Sequence, residues 1–420
     1  MGVGARKYTG RGRRLPGSAK VEKENFFIMK IGFDISQTGT QKAGCGYFAE
    51  SLIRHLSEID AENQYILYPT FGDLFWDPDW SSGTCRIARS NFQCHRGQKT
   101  FREARFFWNH PPADFEEQLG NPQIIHSNNF FCPSRLQNAR LVYTLYDLSF
   151  LVHPEWTTEE NRTGCFEGVF HASLYADFII SISHYSRNHF LEVFPHYPPD
   201  RILVAHPASR FAGQGEVSQP ESLKLLKRNQ FWLTVGVLEP RKNHLGLLRA
   251  YALLKANRGT TFPLVIAGAK GWLMDHFEKE MDTLNLRRDI ILLGYVDDTA
   301  LQWLYQNCFA FIYPSFFEGF GLPVTEAMSL GAPVIASKVS SLPEIVGEAG
   351  ILIDPLDENQ LYQSMQKLSA CPQFHLDLKD KVSRQATQFS WKSTALVVLQ
   401  CYREVLLRER IFSRSLFPES

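Results

Sequence analysis

From Met29 onward, short apolar runs alternate with helix-length amphipathic segments. That alternation is the pattern of a parallel sheet covered by helices on both faces. In the first half it predicts strands over Lys30–Ile35, Tyr65–Tyr68, Ile124–His126, Leu141–Tyr146, Phe178–Ser181 and Ile202–Val204. In the second half it predicts Phe231–Val235, Leu264–Ala267, Ile290–Leu292, Ala310–Tyr313, Val334–Ala336 and Gly350–Ile353. These are too many strands for one compact βαβ domain, and the stretch Ser209–Glu221 between the sets, rich in Gly, Ser, Gln and Pro, reads as a linker. The expectation is an α/β chain of two Rossmann-like domains.

Helix periodicity agrees. After Asp297 or Asp298, either a good N-cap, Leu301, Leu304, Tyr305 and Cys308 fall on one apolar face. Ser390 can cap a terminal helix whose stripe is Trp391, Ala395, Val398, Leu399, Tyr402, Val405 and Leu406, and which is expected to bridge the domains. The stretch from about Phe71 to Asn121 is rich in aromatics and prolines and shows no clear period.

Composition narrows the function. The 420 residues suit two or three domains, and 44 Lys+Arg against 44 Asp+Glu leave no net field to hold the molecule on nucleic acid or lipid. The charge is uneven, because residues 1–28 carry seven Lys/Arg and two Asp/Glu. A nucleic-acid reading would rest on that tail alone, and binding to anionic lipid would be weak and peripheral at best. Eight scattered cysteines form no C-x2-C pair, which points to a reducing, cytoplasmic location, at the inner membrane face if lipid is touched. There is neither a membrane-length apolar run nor a secretory core at the N-terminus. The expected organisation is a flexible basic extension at 1–28, an acceptor-side domain at 29–210, a ligand domain at 222–388 and a bridging helix at 389–410.

Two motifs carry chemistry. The strand Phe231–Val235 leads through Gly236 into Glu239-Pro240-Arg241-Lys242-Asn243 and a helix that Asn243 can cap. Arg241 and Lys242 thus stand at the carboxyl end of a strand and at a helix N-terminus, a position suited to a diphosphate, although a solvated pair on a turn fits the same spacing. The second motif, Phe317-Glu318-Gly319-Phe320-Gly321-Leu322-Pro323-Val324-Thr325-Glu326, again follows a strand and opens a helix, with Pro323 at its first position. Glu326 in the first turn can serve the helix dipole, whereas Glu318 in a glycine loop is placed to accept hydrogen bonds from hydroxyls, as of a sugar.

Glu318 and Glu326, separated by seven residues, reproduce the E-x7-E signature of the retaining, GT-B-fold, family-4 glycosyltransferases, and VGVLEPRKNHLGLLRAY resembles their phosphate-binding segment. The likeness runs through residues 231–410 and, more loosely, through the glycine loop and helix that follow the first strand. It implies that Arg241 and Lys242 hold the donor diphosphate and that Glu318, flanked by the backbone of Gly319, Phe320, Gly321 and Leu322, holds the transferred sugar. Glu326 would hold the ribose, and Val296 and Asp298 the base. A carboxylate at Asp298 favours GDP over UDP, since guanine offers it N–H donors; a helix-capping role for Asp298 stays open.

On the acceptor side, many members of that family carry His-Asp-Leu where this chain has Tyr146-Asp147-Leu148, so no imidazole stands there. Tyr146, Asp147 and the strand-ending His126 are the acceptor-side candidates. Gly44-Cys45-Gly46-Tyr47-Phe48-Ala49 fits G-x-G-x-x-A in form, but it begins about nine residues past the strand, whereas a dinucleotide loop follows its strand at once. NAD is therefore rejected, and Gly46 is expected on the cleft wall.

The expected activity is hexosyl transfer, best matched by mannose from GDP-mannose, to a glycan or lipid-linked glycan of a cell-surface polysaccharide such as lipopolysaccharide. No metal is expected, because two cations can take the leaving-group charge and no D-x-D-like motif stands in a suitable loop. No obligate protein partner is implied. Rival readings are a UDP-sugar transferase, a phosphorylase on the same fold, and a non-catalytic nucleotide-sugar-binding protein.

Overall fold

The computed structural model describes residues 28–40, 42–72, 84–95, 97, 100–134, 136–257, 262–271 and 274–411. Apart from Ile28, the basic extension expected at 1–28 lies outside the described residues.

Two all-parallel sheets form. The first contains β1 (Lys30–Asp34), β2 (Gln64–Tyr68), β3 (Phe92–Cys94), β4 (Ile124–Ser127), β5 (Arg140–Leu145), β6 (Phe178–Ser181) and β7 (Ile202–Val204), in the order β3-β2-β1-β4-β5-β6-β7. The second contains β8 (Trp232–Val235), β9 (Leu264–Ala267), β10 (Ile290–Gly294), β11 (Ala310–Tyr313), β12 (Val334–Ser337) and β13 (Ile351–Ile353), in the order β10-β9-β8-β11-β12-β13. The central strands are buried on both faces, as in Ile31, Phe33, Leu141, Phe311 and Ile335, because helices cover each side. This is the two-sheet GT-B architecture.

The order of each sheet reverses once, at β1/β4 and at β8/β11. Loops leaving a reversal point diverge to opposite faces and open a crevice at the strands' carboxyl ends. The segment leading into helix Gly44–Ile59 follows β1, the Arg241–Lys242 segment follows β8, and the Glu318 loop follows β11; the Gly44–Ala49 motif expected as a loop forms the start of that helix. Topology alone therefore gathers the sequence motifs.

Among its described residues, the stretch without clear periodicity holds a strand and two short helices. β3 pairs with β2 in parallel, and the helix Phe101–Asn109 starts at a capping box formed by Thr100 and Glu103. Phe71, Phe107, Trp108 and Phe115 pack together beneath it. Segment Ala205–Pro220 is irregular and connects the sheets. The helix Trp391–Leu407, capped by the Ser390 side chain, returns to pack on helix Gly44–Ile59 and on β5, β6 and β7. Its predicted stripe is buried at Trp391, Ala395, Val398, Leu399, Tyr402 and Val405.

No helix among the described residues is long and apolar enough to cross a membrane.

Candidate functional site

The first cluster forms where the β8 and β11 loops meet. Past β8, Pro240–Lys242 makes a single tight turn, and Asn243, in left-handed conformation, caps helix His244–Ala256 by accepting from the Gly246 amide. The Asn243 amide group also donates to the carbonyls of Pro314 and Pro355, and the Phe316 amide donates to the Arg241 carbonyl at 2.8 Å. The two loops are thus stitched by backbone before any charge is counted. Lys242 Nζ then lies 2.7 Å from Glu318 Oε1 and 2.6 Å from the Tyr313 hydroxyl, while Arg241 Nη1 lies 3.0 Å from Glu318 Oε2. Glu239 accepts from the other edge of the Arg241 guanidinium at 2.7 Å.

Burial by itself would raise the Glu318 carboxyl, but the Lys242 and Arg241 charges outweigh it and pull the pKa down to about 2. Burial draws Lys242 down, helped by neighbouring Arg241 and opposed by Glu318. For Arg241, desolvation is overcome by Glu318 and Glu239, which hold it above its usual range. An ion pair this buried is costly to break by halves, since a stranded charge costs about 3–5 kcal/mol.

Ser341 fixes the loop by donating to the carbonyls of Glu318 and Phe320, and the Glu318 amide donates to Ser340 Oγ. Gly321, with φ of 105°, precedes helix Leu322–Ser329, so Pro323 falls at the second helical position rather than the first. A Cβ at Gly319 would sit 2.8 Å from the Tyr146 carbonyl and 2.9 Å from Asp147 Oδ2, so only glycine lets the two lobes approach here. Phe320 itself turns into the core against Phe389. Ser186 Oγ completes this seam by donating to the Tyr146 carbonyl at 2.7 Å and to the Gly319 carbonyl at 3.3 Å.

A cavity of about 380 Å3 opens between the lobes, lined by Tyr146, Asp147, Asn129, Trp156, Glu239 and Arg241 among others. Tyr146 donates to the Asn128 carbonyl at 2.8 Å, and Asp147 accepts from the Ser149 amide. Gly46 is buried in helix Gly44–Ile59, where a Cβ would strike the Gln37 carbonyl, and its neighbour Cys45 rather than Gly46 lines the cavity.

His126 does not belong to this wall. It is fully buried, with Nδ1 2.6 Å from the Tyr402 hydroxyl and Nε2 2.9 Å from Thr144 Oγ1, and burial lowers its pKa to about 3. The expectation of a cleft-facing imidazole is corrected: the ring anchors the terminal helix to β4 and β5. Strand alternation decides this, since a side chain one residue earlier or later points to the other face.

The second cluster surrounds Glu326, which is buried at the fifth position of helix Leu322–Ser329; the expectation that it lies in the first turn is corrected, because the helix opens at Leu322 and its first turn carries no acidic residue. Its Oε2 accepts from the Tyr305 hydroxyl at 3.1 Å, and its Oε1 lies 3.0 Å from Arg210 Nε. Burial raises its pKa, with Arg210 and Tyr305 opposing. Asp297, not Asp298, caps helix Asp298–Asn307. Asp298 is free of that duty and stands 3.1 Å from Arg210 Nη1, beside partly buried Val296. The ring series Tyr305, Phe311 and Tyr313, edge-to-face at the first contact and stacked at the second, runs between the two clusters.

Arg210 was not identified from sequence. It sits in the irregular connection and belongs to neither motif, so no spacing signalled it. Among the described residues no group of three or more His, Cys, Asp or Glu is placed to hold a metal ion.

Comparison with known proteins bears on this arrangement. The family "Glycosyl transferases group 1" matches residues 218–389, which contain both motifs. The O-antigen chain mannosyltransferase B of Escherichia coli is 36% identical over 289 residues, 67% of this chain and 74% of that protein. The serotype-specific mannosyltransferase WbdA of Escherichia coli is 33% identical over 180 residues, 42% of this chain but 22% of that longer protein. Among solved structures, Anabaena HepE in complex with UDP and glucose superposes with a TM-score of 0.66 at 17% identity, covering 90% of this chain and all of that one. The sucrose-phosphate synthase of Thermosynechococcus elongatus gives 0.68 at 20% identity, covering 90% and 99%.

Proposed function

The chain belongs to the group 1 glycosyl transferases, and from that premise we propose that it moves mannose from GDP-mannose onto a glycan or lipid-linked glycan, with retention at the anomeric carbon. The observation that carries the proposal is the buried Arg241–Lys242–Glu318 triad, whose Arg241 lines a cavity shared by both lobes. Mannosyl transfer is supported by the likeness to the two Escherichia coli mannosyltransferases, and the O-antigen chain of the first suggests a surface polysaccharide as the class of product.

In this reading the β-phosphate lies on Arg241 and Lys242, whose charges are already fixed by Glu318, Glu239 and Tyr313. A carboxylate has about four lone-pair sites, so Glu318 can orient the cations and still accept from hydroxyls of the sugar. The acceptor hydroxyl enters from the Tyr146–Asp147 side and approaches the anomeric carbon on the face the diphosphate leaves. The bond from carbon to phosphate oxygen breaks, the bond to the acceptor oxygen forms, and the acceptor proton passes to the departing diphosphate. Arg241 and Lys242 stabilise the negative charge as it develops, and preorganised charges of this kind act most strongly where water is excluded. Glu326 accepts from the ribose hydroxyls, and Asp298 from guanine.

A thermal-shift panel of GDP-mannose, UDP-glucose, UDP-N-acetylglucosamine and their free diphosphates tests this, because selective binding raises apparent stability. GDP-mannose and GDP are expected to raise the melting temperature most. A larger shift with a uridine nucleotide would overturn the donor assignment, and no shift with any would overturn the function.

A further inference from the structure

Arg210 joins elements that no motif joins. Besides its contacts to Glu326 and Asp298 in the second lobe, its guanidinium lies 4.1 Å from the centroid of the Tyr47 ring, on helix Gly44–Ile59 of the first. Lys42 Nζ is 5.2 Å from the same ring. The Arg210 side chain is 18% exposed, Glu326 8% and Asp298 61%. A planar guanidinium held by two carboxylates and an aromatic face loses little freedom on forming each contact, so it is a rigid tie.

Resting on the reading of Glu326 and Asp298 as nucleoside contacts, we propose that Arg210 is a positioning residue for the donor: it holds both carboxylates in place toward ribose and base, and through Tyr47 links nucleoside binding to the position of the acceptor-side lobe. The groups facing Glu326 are Arg210 from the connection, Tyr305 from helix Asp298–Asn307, and Asp298 at that helix's start. Asp298 repels the Glu326 charge and burial disfavours it, and Arg210 is the cation that opposes both. A protonated Glu326 would lose acceptor sites that the ribose hydroxyls need.

The test measures affinity for GDP-mannose and UDP-glucose on the full chain between pH 6 and 8.5, using Arg210→Met, Arg210→Lys and Tyr47→Leu. For the nucleotide-sugar that wild type binds, Arg210→Met is expected to raise the dissociation constant roughly tenfold or more, as for breaking a largely buried ion pair by removing one partner. The loss should deepen as pH falls in Arg210→Met but not in wild type. Arg210→Lys should weaken binding less and stay independent of pH. Tyr47→Leu, which keeps every charge, should weaken binding without adding pH dependence, and it carries the test with Arg210→Lys if Arg210→Met does not fold. Wild-type affinity in Arg210→Met, or a loss equal at all pH values, would overturn the role of Arg210 while leaving the functional reading intact. Unaltered binding in both Tyr47→Leu and Arg210→Lys would also overturn it. Failure of wild type to bind either nucleotide-sugar would overturn the functional reading, and this proposal with it.

Discussion

The two glutamates of the second motif stand eight positions apart, both buried, yet their environments act in opposite directions. Glu318 meets Lys242 and Arg241 at 2.7 and 3.0 Å, and its pKa falls to about 2. Glu326 meets Arg210 at 3.0 Å and a tyrosine hydroxyl, and its pKa rises. Two cations outweigh burial, whereas one cation shared with Asp298 does not. The difference teaches that the diphosphate end carries its charge balance within the motifs, while the nucleoside end borrows it from the connection between the lobes.

The largest effect expected from breaking that contrast is at the diphosphate end. Lys242→Met should lower kcat by roughly 10²–10³, the scale for one preorganised charge-stabilising group. Steady-state assay of diphosphate release checks this, and turnover kept in Lys242→Met but abolished in Glu318→Ala would show that the cations do not cradle the phosphate. At the nucleoside end, Glu326→Gln should raise donor KM by roughly tenfold or more with a smaller change in kcat, since hydrogen bonds to a charged acceptor are worth about 1.5–3 kcal/mol. A fall in kcat alone would place Glu326 at the chemistry instead.

A third variant bounds the site. Tyr402→Phe leaves a His126 nitrogen without its 2.6 Å partner and should cost about 1–3 kcal/mol in denaturant unfolding, with KM and kcat unchanged. A change in turnover would return His126 to the cleft. The smallest effect concerns pH. Because the folded Glu318 pKa lies below its ordinary value of 4.5, its contribution to stability is present above about 4.5 and is lost as pH falls toward 2. Unfolding followed across that window should therefore show a decline that Glu318→Gln flattens, and an unaltered slope would deny Glu318 its charge in the folded state.

How much of this the sequence disclosed follows the range of the forces involved. All the predicted strands form, because continuous β-branched and aliphatic runs report burial directly. β3 escaped notice: it is three residues long at a sheet edge with two exposed positions, too short for a periodic signal. The helix Phe101–Asn109 carried a readable Thr100–Glu103 capping box that the surrounding aromatics obscured. Arg241, Lys242 and Glu318 were legible because short loops from neighbouring strands deliver them to one point. Asp297 and Asp298 were equally good caps on paper, and their duties separate only in the fold, where Asp297 accepts from the Ala300 amide and Asp298 meets Arg210. Arg210 and Tyr47 are 163 positions apart, and their meeting depends on how the lobes sit. His126 was misplaced because a single position along a strand reverses the face.

The most direct test of the account is calorimetric binding of GDP and of guanosine to wild type and to Lys242→Met and Arg241→Met. The account predicts that each variant loses most of the affinity for GDP and keeps that for guanosine, because the cations read the diphosphate and not the nucleoside. Equal loss for both ligands, or GDP bound as tightly as by wild type, would contradict it.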